Sequence, residues 1–136
     1  MIRQARINPF SLDWRRFLVI EDELAGLVAC GQVKPHRDGT RELASIAVTP
    51  RFRGQGAGET IIRALLAEHR PPLYLTCRAS LQTYYARFGF RALALGEMPA
   101  YYRLIARGSR LANRLAPRAF ERVRIMILEN SAAAAS

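Results

Sequence analysis

The feature that most restricts the fold is the run from Glu42 to Leu66, where a strand-like stretch, a glycine-rich turn and a helical stretch follow one another. Glu42 to Val48 carries apolar side chains at both odd and even positions, the pattern of a strand covered on both faces and therefore central. Pro50 ends it. From Glu59 to Leu66, apolar residues at 61, 62, 65 and 66 recur at helical spacing, so a helix begins at the glycines. In Arg53-Gly54-Gln55-Gly56-Ala57-Gly58, three residues without side chains stand at the head of that helix, where unpaired N–H groups and the helix dipole favour an anion. A pyrophosphate can approach such a backbone closely, with Arg51 and Arg53 adding positive charge at the rim. The plainer alternative is ordinary turn material. A nucleoside-triphosphate P-loop is excluded, because no Gly-Lys-Ser/Thr ending exists and Glu59 occupies the lysine's place. A dinucleotide fingerprint fits poorly, since the spacing is Gly-x-Gly-x-Gly and hairpins precede it.

Around this centre the chain reads as one domain over 1–129 and a flexible small-residue tail over 130–136. Ile2 to Ile7 alternates like a short strand, Asn8-Pro9 breaks it, and Ser11 to Arg15 suits a single helical turn. Phe17 to Glu21 and Leu24 to Val33 form a predicted hairpin turning at Glu21-Asp22-Glu23, and Pro35 ends its second strand. Asp38-Gly39 marks another tight turn. Pro71-Pro72 halts the first helix, Leu73 to Cys77 is a strand, and Ser80 is the predicted N-cap of a helix running to about Phe88, with Gly89 as its stop. Arg91 to Leu95 reads as a strand. A third helix starts near Glu97 with an expected apolar face at 101, 104, 105, 111, 112 and 115, while Arg103, Arg107, Arg110 and Arg114 form a separate basic ridge within an arc of about 60°. A last strand covers about Arg122 to Leu128.

The net charge of +10 arises from twenty arginines and Lys34 against eleven acids. Through Ser45 there are seven bases and six acids, and beyond it fourteen bases and five acids, so the later part should attract anions. Cofactor phosphates, nucleic acid and an anionic membrane all suit that asymmetry. No stretch approaches the ~20 apolar residues of a membrane span, and Met1 to Phe10 lacks a secretory core, so a soluble, cytoplasmic protein is expected. Cys30 and Cys77 sit among apolar neighbours as expected core thiols, and no metal site is expected because His36 and His69 are isolated and no Cys-x-x-Cys pair exists. His36, in Pro35-His36-Arg37-Asp38-Gly39, reads as an exposed turn residue.

The sequence resembles the GNAT acetyltransferases. Arg53-x-x-Gly56-x-Gly58 is similar to that family's acetyl-CoA signature, Arg/Gln-x-x-Gly-x-Gly/Ala, and Tyr84-Tyr85-Ala86-Arg87-Phe88-Gly89-Phe90 resembles its Phe/Leu-Tyr-x-x-x-Gly-Phe run. The two stand in the family's order, with room between them for one helix, one strand and one more helix, and the likeness covers Arg16 to Leu95. It implies an α/β (α+β) GNAT-like acyl-CoA N-acyltransferase fold: a central mixed, mostly antiparallel sheet splayed between its fourth and fifth strands and flanked by helices. It also implies acetyl-CoA as the acyl donor, lying in the gap between Glu42 to Val48 and Leu73 to Cys77. Backbone groups of Ile46, Ala47 and Val48 would hold pantetheine, and amides of Arg53, Gly54, Gln55, Gly56, Ala57 and Gly58 the pyrophosphate.

The implied reaction is direct acetyl transfer to an amine, from a small molecule or a protein, without an enzyme-bound intermediate. Tyr85 takes the family's tyrosine place as candidate acid for the departing thiolate, against the alternative of an aromatic packed on the cofactor or core. Tyr84, Phe88 and Phe90 are expected to pack. Glu42, six residues before Val48, is the candidate base, against the alternative of a solvated strand-end carboxylate near Arg41. Only about ten residues separate the first two strands, where the family usually has two helices, so the acceptor side is expected to be open or completed by the inserted third helix. Two other functions remain in view: a non-catalytic module of this fold binding nucleic acid or another anion through its arginines, and an acetyl-CoA sensor. Either a monomer or a homodimer is compatible with the sequence.

Overall fold

A computed structural model describes residues 2–5, 16–118 and 122–129. The expected helical turn at Ser11 to Arg15, the break at Asn8-Pro9 and the tail over 130–136 lie outside the described residues. The chain divides into two compact units, Met1–Pro35 with Arg41–Arg70, and His36–Thr40 with Pro71–Ser136.

The first unit is an antiparallel meander of β1 (Ile2–Ala5), β2 (Phe17–Asp22), β3 (Gly26–Pro35) and β4 (Arg41–Val48), on which the helix α1 (Ala57–Glu68) packs. The hairpin turns later than predicted, because the Asp22 carboxylate accepts the amides of Leu24 (2.9 Å) and Ala25 (3.0 Å) and so holds the bend just beyond itself. Those same bonds lower the Asp22 pKa. Burial on both faces, expected for β4, belongs instead to β2 and β3. Phe17 to Ile20 are all buried, as are Val28, Ala29, Gly31, Gln32 and Val33. In β4 only Leu43 is buried, and Ser45 and Ala47 are exposed. β4 also carries a bulge: Cys30 pairs with Ala47 but Gln32 pairs with Ala44, so Ser45 and Ile46 together oppose Gly31. Ser45 adopts φ +58°, a conformation few non-glycine residues take, and the buried Gln32 supports it by donating Nε2–H to Ser45 Oγ at 2.9 Å. Helix α1 buries Ile61, Ile62 and Leu65 as its periodicity predicts, and it ends before Pro71-Pro72.

The second unit pairs β5 (Leu73–Arg78) with β7 (Val123–Leu128), and β7 in turn with β6 (Arg91–Ala92), all antiparallel. The strand expected over Arg91 to Leu95 is only two residues long. Leu93 still donates its amide to Ile125 O (2.8 Å), after which the chain turns because Glu97 accepts the Ala94 amide at 3.1 Å. Ser80 is not the N-cap expected of it: it lies inside a 3-10 turn, Ala79–Leu81, and helix α2 (Gln82–Ala86) starts from Leu81 without a side-chain cap. Gly89 closes that segment at φ +97° as predicted.

The largest departure concerns helix α3 (Ala100–Leu115), which begins after Pro99 rather than at Glu97. Its buried face is Tyr102 and Ala106, packed with Met98 and Ile125. Most of the expected apolar face looks outward instead: Leu104, Leu111 and Leu115 are 71%, 57% and 77% exposed, while Ile105 alone of its large residues packs against that core. Tyr102 fixes the rotation, since its ring stacks on Tyr74 (centroids 4.9 Å apart) and its hydroxyl lies 3.5 Å from Thr40 Oγ1. Ala106 and Ser109 are small enough for α3 to approach β7, and Ser109 Oγ accepts the Val123 amide at 3.2 Å. His36 is accordingly half-buried rather than an open turn residue, with its ring 4.3 Å from that of Tyr101. Among the described residues no helix is long and apolar enough to cross a membrane.

Candidate functional site

The head of α1 is built from the local demands of its sequence. Pro50–Phe52 forms a 3-10 turn, after which Gly54 (φ +78°) and Gly56 (φ +84°) bend the chain into the helix. Both glycines occupy the left-handed region, where a Cβ is strained, yet a Cβ built on either would meet no atom within 4 Å. They are required by the backbone path, then, and the space in front of them is open. Gly56 is the N-cap and offers no side chain, so the first-turn amides of α1 have no side-chain cap. Gly56 O accepts both the amide (3.0 Å) and the hydroxyl (2.9 Å) of Thr60, which fixes the direction of that first turn. The single acid near it, Glu59, is bonded along the helix to Arg63 Nε at 3.0 Å.

Arg53 turns its Nε back toward Val48 O at 3.4 Å, tying the turn to the end of β4. Gln55 donates Nε2–H to Arg51 O at 3.3 Å, and Ala57 is buried under the helix start. The first unit thus brings Arg53 to Gly58 together with Ile46 to Val48. Glu42 lies toward the other end of β4, cross-strand from Lys34 and on the far side of the Ser45 bulge. That bulge was not foreseen. Its signals in the sequence are Gly31, where a Cβ would fall 2.5 Å from Ile46 Cδ1, and a serine within an apolar strand.

In the second unit, Tyr85 projects from the short α2. Its ring lies 5.2 Å from that of Tyr84 and 6.3 Å from that of Phe90. Burial, with smaller contributions from Cys77 and Tyr84, pushes its pKa up to about 12. Tyr84 packs edge-on against Phe88 (5.5 Å), and Phe88 and Phe90 are buried. Cys77 is buried with its sulfur 3.8 Å from Met126 Sδ, a packed thiol, while Cys30 is half-buried and its Sγ faces Ser45 O at 3.7 Å.

An acetyltransferase (GNAT) domain model matches residues 13–92, well over half of the chain. The chain belongs to the GNAT family. No curated protein sequence matches at a significant level. Among solved structures it is similar to N-acetylglutamate synthase from Neisseria gonorrhoeae complexed with coenzyme A and N-acetyl-glutamate (18% identity, TM-score 0.61), with 85% of this chain covered and 26% of that one. It is also similar to Rv2747 from Mycobacterium tuberculosis in complex with CoA (20% identity, TM-score 0.58, 84% and 75% covered). A third is ElaA from Escherichia coli (25% identity, TM-score 0.52, 57% of each chain covered). This GNAT chain therefore spans about a quarter of the length of the N-acetylglutamate synthase chain. It shares the α/β GNAT acyl-CoA N-acyltransferase fold with these proteins.

Proposed function

We propose that this GNAT chain transfers an acetyl group from acetyl-CoA directly to an amine. The observation that carries the reading is the pair of left-handed glycines at the head of α1, with open space before them and a first helical turn that no side chain caps. The residues fit a diphosphate: amides from Gly54 to Gly58 supply donors, the Arg53 amide being engaged with Pro50 O at 3.3 Å, the helix dipole adds favourable potential, and no Cβ stands at Gly54 or Gly56 to keep the phosphate away. The backbone of Ile46, Ala47 and Val48, beside the bulge, is the proposed partner for strand-like hydrogen bonds to pantetheine.

In the transfer, the amine nitrogen attacks the thioester carbon, the C–S bond breaks, and the nitrogen gives up one proton. Glu42 is the proposed acceptor of that proton, directly or through one water. Tyr85 is the proposed donor toward the leaving sulfur. With its pKa near 12, full transfer to a thiolate of ordinary pKa ~8.5 runs uphill by about 1.4 kcal/mol per unit. The phenol therefore acts chiefly as a hydrogen-bond donor that stabilises the thiolate as it forms, and stays neutral throughout the physiological range.

The test is calorimetric titration with acetyl-CoA followed by a panel of amines, reading free thiol. Micromolar binding and amine-dependent thiol release that Glu42→Gln depresses are the expected results. Binding without release over the panel points to a sensor instead. No binding of acetyl-CoA, together with salt-sensitive retention of polynucleotide, points to the anion-binding module.

A further inference from the structure

Between α3, β7 and the segment following β6, the second unit encloses a cavity of about 340 Å³ that the acyl-transfer reading does not use. Its volume falls within the range of small-molecule pockets, ~300–1,000 Å³. Leu93, Met98 and Ile125 are among its apolar lining residues, and three arginines line it: Arg110, Arg122 and Arg124.

The hydrogen bonds already made around the cavity decide what its remaining polar groups can do. Arg124 donates Nε–H to Gln82 Oε1 at 3.1 Å, which occupies one lone pair of that oxygen and leaves the amide's NH₂ to donate. Ser109 Oγ accepts the Val123 amide and keeps the hydroxyl's own proton to donate. Arginine has no acceptor at all. Every polar side chain lining the cavity thus has a donor to offer, and none of them is a carboxylate. The nearby carboxylate of Glu97 is not among the lining groups and is spent elsewhere: Oε2 takes Arg91 at 3.0 Å and Oε1 takes the Ala94 amide. Among the described residues, no carboxylate forms an ion pair with Arg110, Arg122 or Arg124. Of the four arginines on the α3 ridge, Arg110 is the one that lines the cavity.

A lining of donors beside apolar residues is complementary to a molecule with an acceptor-only head and a hydrocarbon body. We propose that this cavity binds a small organic anion, a carboxylate or phosphate monoester with a short apolar body, its head on Arg110, Arg122 and Arg124 and its body on Leu93, Met98 and Ile125. The inference rests on the cavity alone and stands or falls independently of acetyl transfer.

The experiment titrates the whole chain with hexanoate, benzoate, phenyl phosphate and inorganic phosphate by calorimetry and thermal shift. At least one of the organic anions is expected to bind at least tenfold more tightly than inorganic phosphate, because the apolar lining contributes only to molecules with an apolar body. Which organic head is preferred separates a carboxylate from a phosphate ligand. Arg110→Gln and Arg122→Gln are each expected to weaken that binding roughly tenfold, the scale of one charge-assisted hydrogen bond. Arg107→Gln removes the same charge from the same helix at an exposed position outside the cavity and is expected to leave affinity within about twofold. Ala94→Phe, at an exposed lining position, is expected to block the cavity without touching the arginines. The proposal is overturned if none of the organic anions binds by about 10 mM, if inorganic phosphate binds as well as they do, or if Arg107→Gln weakens them as much as Arg110→Gln. Unchanged binding in a folded Ala94→Phe variant overturns it too, and should that variant not fold, the arginine series still decides.

Discussion

Gly56 and Gly39 offer a matched test of the phosphate turn. Both lie in the left-handed region, at φ +84° and +88°, and a Cβ added to either meets no atom within 4 Å. Glutamate at either position therefore carries a similar conformational cost, about 1–2 kcal/mol, and no steric clash. For a chain of 136 residues that is a fall in Tm of about 4–8 °C. The two sites differ in what lies before them. Gly39 sits in the His36–Thr40 turn, whereas Gly56 caps the helix whose first amides are the proposed phosphate donors. A carboxylate placed about 4 Å from a phosphate charge costs about 4 kcal/mol at an effective dielectric near 20, before the lost access to the amides is counted. That corresponds to a roughly 10³-fold loss of affinity. The assay is calorimetric titration of acetyl-CoA into Gly56→Glu, Gly39→Glu and the parent, with melting curves for all three. Similar losses of stability, with acetyl-CoA affinity lost only in Gly56→Glu, are expected. Affinity within threefold of the parent in a folded Gly56→Glu protein would falsify the assignment of this turn, and equal losses in both variants would reduce it to an effect of general destabilisation.

Four further outcomes follow from individual residues. Tyr85→Phe is expected to lower kcat at least about tenfold while acetyl-CoA affinity stays within threefold, read from steady-state thiol release and calorimetry; equal kcat leaves Tyr85 a packing residue. Because burial raises the Tyr85 pKa to about 12 from its ordinary value of 10.0, the folded protein holds this proton more tightly than the unfolded chain does. Its contribution to stability is complete below pH 10 and is lost as pH rises from 10 to 12, so stability between those values should fall less steeply in Tyr85→Phe, as denaturant melts at each pH would show. On α3, Leu104→Gln should change stability by no more than about 0.5 kcal/mol because the side chain is 71% exposed. Tyr102→Ala should cost about 3–5 kcal/mol in the same urea titrations, and the opposite ranking would restore the outward face to the core. Gly31→Ala should cost about 1–3 kcal/mol, since its Cβ would fall 2.5 Å from Ile46 Cδ1 and 2.8 Å from Ile61 Cγ2; adding Ile46→Val removes the nearer atom and should recover part of the loss.

The sequence was most informative where the physics is local. A glycine at positive φ, a proline that stops a strand and a helical repeat of isoleucine and leucine each state their demand within a few residues, and β3's end at Pro35, Gly39, Gly89 and the inner face of α1 were legible for that reason. Tyr84 and Phe88, expected to pack from the family resemblance, meet edge-on. What escaped depended on partners distant in the chain. The Ser45 bulge exists because Gly31 leaves room for Ile46 and Gln32 supplies a hydrogen bond, neither of which β4 alone reveals. Helix α3 has two arcs that could bury themselves, one of leucines and one of tyrosine, alanine and serine. Hydrophobicity favours the first arc, but Tyr74, Thr40 and the Val123 amide select the second.

That selection is also what makes the second unit's cavity polar. Had α3 buried its leucines, the rotation would have carried Ser109 and Arg110 away from β7, and the cavity would lack two of its donors. With Tyr102 inward, Ser109 meets Val123 and Arg110 reaches the lining, while the leucines are left in water at a cost in burial. The two proposed anion sites consequently differ in kind. The turn at Gly56 works through backbone amides whose direction is set by glycine conformation, so substituting side chains elsewhere on α1 should disturb it little. The cavity works through guanidinium groups held by a helix rotation, so a change at Tyr102 that lets α3 turn should weaken organic-anion binding without any substitution among the arginines.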